Sequence, residues 1–151
     1  MSKSELFAYV LSTEPQGDVR ALTVKQPFAW GLLNRKKPVE NRTWGHRRKW
    51  PRWVLLHASD QVATPTTKTK PIIDALHVAG CHDCQLPTRA ILGAIHIQAV
   101  VAYDELDESS KLAYGPHALP GQKIWIVDDT IVLNEKWPCS GGLSLWKVKH
   151  C

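Results

Sequence analysis

The run LTVKQPFAWGLLNRKKPVENRTW, Leu22 to Trp44, decides how this chain folds. Ala21 to Val24 is a short apolar stretch with β-branched residues, which predicts a strand, and Lys25-Gln26-Pro27 ends it at a proline suited to the first position of a helix. Phe28 with Leu32 and Ala29 with Leu33 stand four residues apart and give one buried helical face. Gly31 weakens that helix, so it needs tertiary packing to persist. Asn34 is suited to a left-handed closing conformation, Arg35, Lys36 and Lys37 put cations at the negative end of the helix dipole, and Pro38 stops the helix. Beyond it, Val39, Asn41 and Thr43 alternate with Glu40, Arg42 and Trp44. An extended chain therefore turns an acid, a base and an aromatic to one face.

Working outward, 151 residues with 44% hydrophobic and 22% charged side chains fit one globular domain able to bury a sizeable core. Residues 1–19 read as an N-terminal extension whose helix, Ser4 to Leu11, is expected to cover an edge or act as a lid, and 20–151 as the domain itself. No apolar run reaches the ~18 residues of a membrane span, and the acid-interrupted N-terminus is unlike a secretory signal, which predicts a soluble, cytoplasmic protein with no membrane partner. The four cysteines are unevenly placed and are expected to be reduced. A net charge of +5 favours an anionic partner where the cations cluster.

They cluster most densely just after the opening run. Gly45-His46-Arg47-Arg48-Lys49-Trp50-Pro51-Arg52-Trp53 interleaves cations with aromatic rings: Arg and Lys neutralise phosphates, and a Trp face stacks a base. Trp53 to His57 continues as a strand that brings His57 and Ser59 near its end, where pockets form. A Thr-rich polar loop, Gln61 to Lys70, leads to a helix from Pro71 to about Ala79. Metal-ligating types follow in His77, Cys81 and Cys84, but a structural zinc takes four ligands and no second C-x-x-C is present, so neither metal nor cofactor is expected. Ala90 to Tyr103 is a long β-branched strand with Gly93 placed for a bend. Lys123 to Val127 and Thr130 to Leu133 read as two strands joined across Asp128-Asp129. Short strands with a few inserted helices predict an α+β fold centred on a small β-barrel, with no regular βα alternation.

The opening run, together with Trp53-Val54-Leu55-Leu56-His57-Ala58-Ser59, Ile91-Leu92-Gly93-Ala94-Ile95 and the closing Trp137 to Val148, resembles the ASCH family, named for homology to the activating signal cointegrator. The resemblance spans about residues 20 to 148. It implies a PUA-like barrel with a cleft beside the first helix and the following strand. The first function expected is binding of RNA or another single-stranded nucleic acid by Lys25, Lys36, Lys37, Arg42, Trp44, Arg47, Arg48, Lys49, Trp50 and Arg52, with Gly141-Gly142 letting a backbone approach closely. The alternative is a hydrolase of RNA or of a modified nucleoside. Some ASCH-like proteins cleave acylated cytidine with an elbow lysine, a threonine three residues on and a glutamate from a later strand. Here the lysine is Lys37, Glu40 holds the threonine position, and no acid stands in the central strand before Asp104. Lys37, Glu40 and His57 are the catalytic candidates of that alternative. Seven Trp residues add a protein-interaction domain as a third class.

Overall fold

The computed structural model describes residues 1–14, 16–45, 49–82 and 86–149. Helix α1, Lys3–Ser12, leads into strand β1, Arg20–Gln26, followed by α2, Phe28–Leu33, β2, Val39–Arg42, and β3, Arg52–Val62. The chain continues through α3, Lys70–Val78, β4, Ala90–Ala102, α4, Glu108–Tyr114, β5, Lys123–Pro138, and β6, Leu145–Lys147. The strands form one six-stranded sheet in the order β2-β5-β4-β3-β1-β6. Among these described strands only the β1–β3 pair is parallel.

Both faces of this sheet are buried, which is why β3 and β4 are nearly continuous in apolar residues. Trp53, Leu55, Ile91, Ala94 and Trp137 pack on one face with Leu6 and Val10 of α1. Val54, Leu56, Ile95, Ile97 and Trp125 pack on the other with Ala29, Leu32 and Leu33 of α2. Ser2 and Glu5 cap α1 reciprocally, Glu5 N–H to Ser2 Oγ at 3.2 Å and Ser2 N–H to Glu5 Oε1 at 3.0 Å. The N-terminal helix thus covers a sheet face and supplies core residues, where an edge cover or lid was expected.

The α+β expectation holds, but the ladder has two ends, β2 and β6, and does not close into a barrel among the described residues. The sheet nevertheless curls until β2 reaches β1, the neighbour of the β6 end. Arg42 of β2 donates from Nη2 to the carbonyl of Thr23 in β1 at 2.6 Å. A side chain spans the gap that a strand ladder would fill, and the gap itself is a cleft. The two strands expected over 123–133 are one, because the register shift between His96 and Ile97 carries β5 past Asp128 without a turn. Asp128 then bonds His96 Nδ1 at 2.6 Å. Of the cysteines, Cys81 is a buried reduced thiol, and Cys139 is disulfide-bonded, against the expectation of reduced thiols throughout. No described helix is long and apolar enough to cross a membrane.

Candidate functional site

The elbow between α2 and β2 builds the floor of the cleft. Fully buried Gln26 starts α2 by accepting the Trp30 N–H at Oε1 over 2.9 Å, while its amide donates to Pro87 O at 2.9 Å. At the other end the Lys36 and Lys37 N–H groups both reach Gly31 O, at 2.9 and 3.0 Å, so the chain folds back over the helix terminus. Gly31 permits this: a Cβ there would stand 2.8 Å from Leu76 Cδ2 and 3.0 Å from Lys37 Cβ. The left-handed closing residue is Arg35, at φ 57°, one place after the Asn34 expected, and Arg35 pairs with Asp129.

Folding back buries Lys37 to 1% exposure. Its ammonium donates to Val39 O and to Glu40 Oε1, the latter at 3.2 Å, and lies 5.5 Å from the centre of the Phe28 ring. Glu40 Oε2 takes Arg42 Nη2 at 3.0 Å. Burial pushes the Lys37 ammonium below the ordinary lysine range, against the pull of Glu40. Burial alone would raise the Glu40 carboxyl, but Lys37, Arg42 and the hydrogen bonds from Lys37 and Asn41 together hold it below its usual value. The expectation that Glu40 and Arg42 share a face holds, and Arg42 carries the relay on to β1.

Above this floor the cleft encloses about 660 Å³. Its walls come from β1 (Thr23, Lys25), α2 (Phe28), β2 (Asn41, Arg42), Trp44, the Thr66–Thr69 turn with Lys68, the start of α3 (Ile72), Leu119 and Gln122, and Gly142, Leu143 and Ser144. Lys25, Lys37, Arg42 and Lys68 face one carboxylate, Glu40. Trp44 is set edge-on to buried Trp125, ring centroids 5.0 Å apart, and Trp125 Nε1 donates to the Trp44 carbonyl at 3.3 Å. An aromatic wall beside a positive lining accommodates a flat base and a phosphate together.

A family model described as the ASCH domain matches residues 22–138. The chain belongs to the ASCH domain family. The matched span in this ASCH domain opens in β1, includes the whole elbow and ends with β5, so α1, the 140–144 segment and β6 lie outside it. Among solved structures, the crystal structure of ASCH from Zymomonas mobilis aligns at 15% identity over 87% of this chain and 88% of that one, with a TM-score of 0.45. No curated protein matches the chain.

The sequence candidates divide by place in this ASCH domain. Lys25, Lys37, Glu40, Arg42 and Trp44 meet in the cleft. Lys36 and Lys49 are exposed but do not line it, and half-buried Trp50 packs on Trp125 at 5.2 Å. Arg52 leaves the expected basic surface altogether: it is 8% exposed, paired with Glu14 at 3.0 Å, and donates to Asp18 O at 3.2 Å. Arg47, Arg48 and Cys84 lie outside the described residues. His77 is exposed while Cys81 is buried beside Ile72 and Leu76, and no metal-binding group exists among the described residues.

His57 sits behind the cleft with both ring nitrogens engaged. Nε2 meets Cys139 O at 2.6 Å and Nδ1 meets Thr23 Oγ1 at 3.2 Å. Trp146 Nε1 donates to the same hydroxyl at 2.9 Å. One proton arrangement satisfies all three contacts: Trp146 donates to Thr23, Thr23 to Nδ1, and Nε2–H to the carbonyl. Burial keeps this imidazole below its ordinary pKa, against the hydrogen bond to the Cys139 carbonyl. Sequence reasoning missed Lys68, Thr66, Thr69 and Gln122. The Thr-rich composition of 61–70 marked a loop, but nothing local told which wall it joins.

Proposed function

We propose that the cleft binds RNA or another single-stranded nucleic acid. The observation that carries this is the lining of four cations against one carboxylate beside the Trp44 and Phe28 rings. Exposed Lys25 and Lys68 meet phosphate, Trp44 offers a stacking face, and the buried Lys37–Glu40 pair, tied to half-buried Arg42, fixes the floor. The helices of 6 to 10 residues carry no groove-reading pattern, which favours a single strand over a duplex. The barrel implied by the family resemblance enters this reading as a curled sheet in which β2 reaches β1 through Arg42. Fluorescence anisotropy with a labelled single-stranded RNA at low salt tests it: binding is expected, and the Lys25→Glu, Lys68→Glu double variant loses it while still folding.

The second reading, a hydrolase, is favoured by one observation, a lysine at the cleft floor whose ammonium is destabilised by burial. Its hydrogen bonds to Val39 O and Glu40 instead match a positioning role, which ranks binding first. Product release from RNA or an acylated cytidine that Lys37→Met abolishes without unfolding the chain would reverse that ranking.

A further inference from the structure

A second cavity, of about 760 Å³, adjoins the first and shares Thr23, Ser59, Gly142 and Leu143 with it. The two therefore border one another along these four residues, with Gly142-Leu143 as the saddle between them. Each lies within the roughly 300–1,000 Å³ of a small-ligand site.

The saddle belongs to the 140–144 segment, whose backbone N–H groups have no protein acceptor among the described residues. The segment is closely seated. A Cβ on Gly141 would stand 2.8 Å from His57 Cε1 and 2.9 Å from Thr23 Oγ1, and one on Gly142 2.8 Å from Trp146 Cγ. It therefore rests on the Trp146–Thr23–His57 network, whose own hydrogen bonds are complete. Ser144 then takes φ 57° as the chain turns into β6.

Cations stand on both sides of the saddle, with Glu40 beside Arg42 in the first cavity and Asp60 beside Arg89 in the second. Lys25 and Arg42 stand in the first cavity, and Arg89 in the second. Arg89 holds a left-handed φ of 53°, its carbonyl accepts the Cys139 N–H at 3.1 Å, and its side chain is 76% exposed with Asp60 at 3.7 Å. Leu143, 92% exposed, projects an apolar side chain at the crossing. Open backbone donors between cations suit a tetrahedral anion, and an isolated apolar side chain beside them suits a sugar or base face.

We infer that the ligand is a phosphodiester-linked chain of at least two nucleotides, with one nucleoside in each cavity and the linking phosphate over Gly141-Gly142. This rests on the nucleic-acid reading above and adds to it a minimum ligand length and a second subsite centred on Arg89. Binding of uridine 5′-monophosphate, the dinucleotide UpU and a longer oligouridylate to the whole chain, measured by calorimetry at low salt, tests it. Linking two occupied subsites is expected to raise affinity at least about tenfold from monophosphate to dinucleotide. Arg89→Glu removes most of that gain and leaves the monophosphate unaffected; the Arg89 side chain is exposed, so the fold is retained. Equal affinity for monophosphate and dinucleotide overturns the inference, as does a dinucleotide affinity indifferent to Arg89→Glu. If those results come with oligouridylate binding that Lys25→Glu abolishes, the cleft reading survives and only the second subsite falls. If no probe binds in a Lys25-dependent way, both fall.

Discussion

On the floor of the cleft, Lys37 and Glu40 are buried charges with their partners in place, and half-buried Arg42 links them to the rim; there, Lys25 and Lys68 are exposed ammonium groups. The residue types are alike and their work is opposite. A buried charge has already exchanged its hydration for fixed partners and has little left to offer a ligand, so its removal is felt in the fold. A rim charge keeps its hydration and its counterions, which a phosphate displaces, so its removal is felt in affinity.

The largest effect expected follows from breaking the floor. Glu40→Ala leaves the Lys37 ammonium buried without its carboxylate and should cost about 3–5 kcal/mol, measured by urea unfolding. A loss near that of a surface substitution would mean that water reaches the elbow and that floor and rim are not distinct. Next comes the aromatic wall, which belongs to both regions. Trp44→Ala should weaken single-stranded RNA binding by about 1–3 kcal/mol in anisotropy titrations. Unchanged affinity would remove stacking from the account.

What could be read from the sequence follows the same division. The elbow was legible because each junction carries a local signal: Pro27, the Phe28/Leu32 spacing, Pro38 and the alternation after it. The burial of Lys37 was not, because the elbow closes on Gly31, whose neighbour Leu76 of α3 lies 45 residues further along the sequence. Arg52 looked like part of a basic surface because its partner, Glu14, precedes it by 38 residues. Asp128-Asp129 read as a turn because acids favour turns, yet a bulge opposite His96 keeps the strand running. Lys68 lines the cleft from a loop whose place in the tertiary structure no local signal reveals.

The smallest effect expected concerns acid. Burial first, and the nearby Lys37 charge second, lower the His117 pKa from 6.5 to about 4. Between those values the unfolded chain binds the proton and the folded chain does not, so stability is lost as pH falls through this window. His57, lowered by burial, acts in the same direction. His117→Gln should flatten the fall in melting temperature between about pH 6.5 and 4; an unaltered profile would place the acid sensitivity elsewhere.

The division between floor and rim is tested most directly by the salt dependence of single-stranded RNA binding in the wild type and the Lys25→Glu, Lys68→Glu double variant, with melting temperature recorded on the same samples. Expected are an unchanged melting temperature, a large loss of affinity at low salt, and a log–log salt slope reduced by roughly 0.7 for each phosphate contact removed. An RNA affinity and salt slope that match the wild type in a folded double variant would contradict that division.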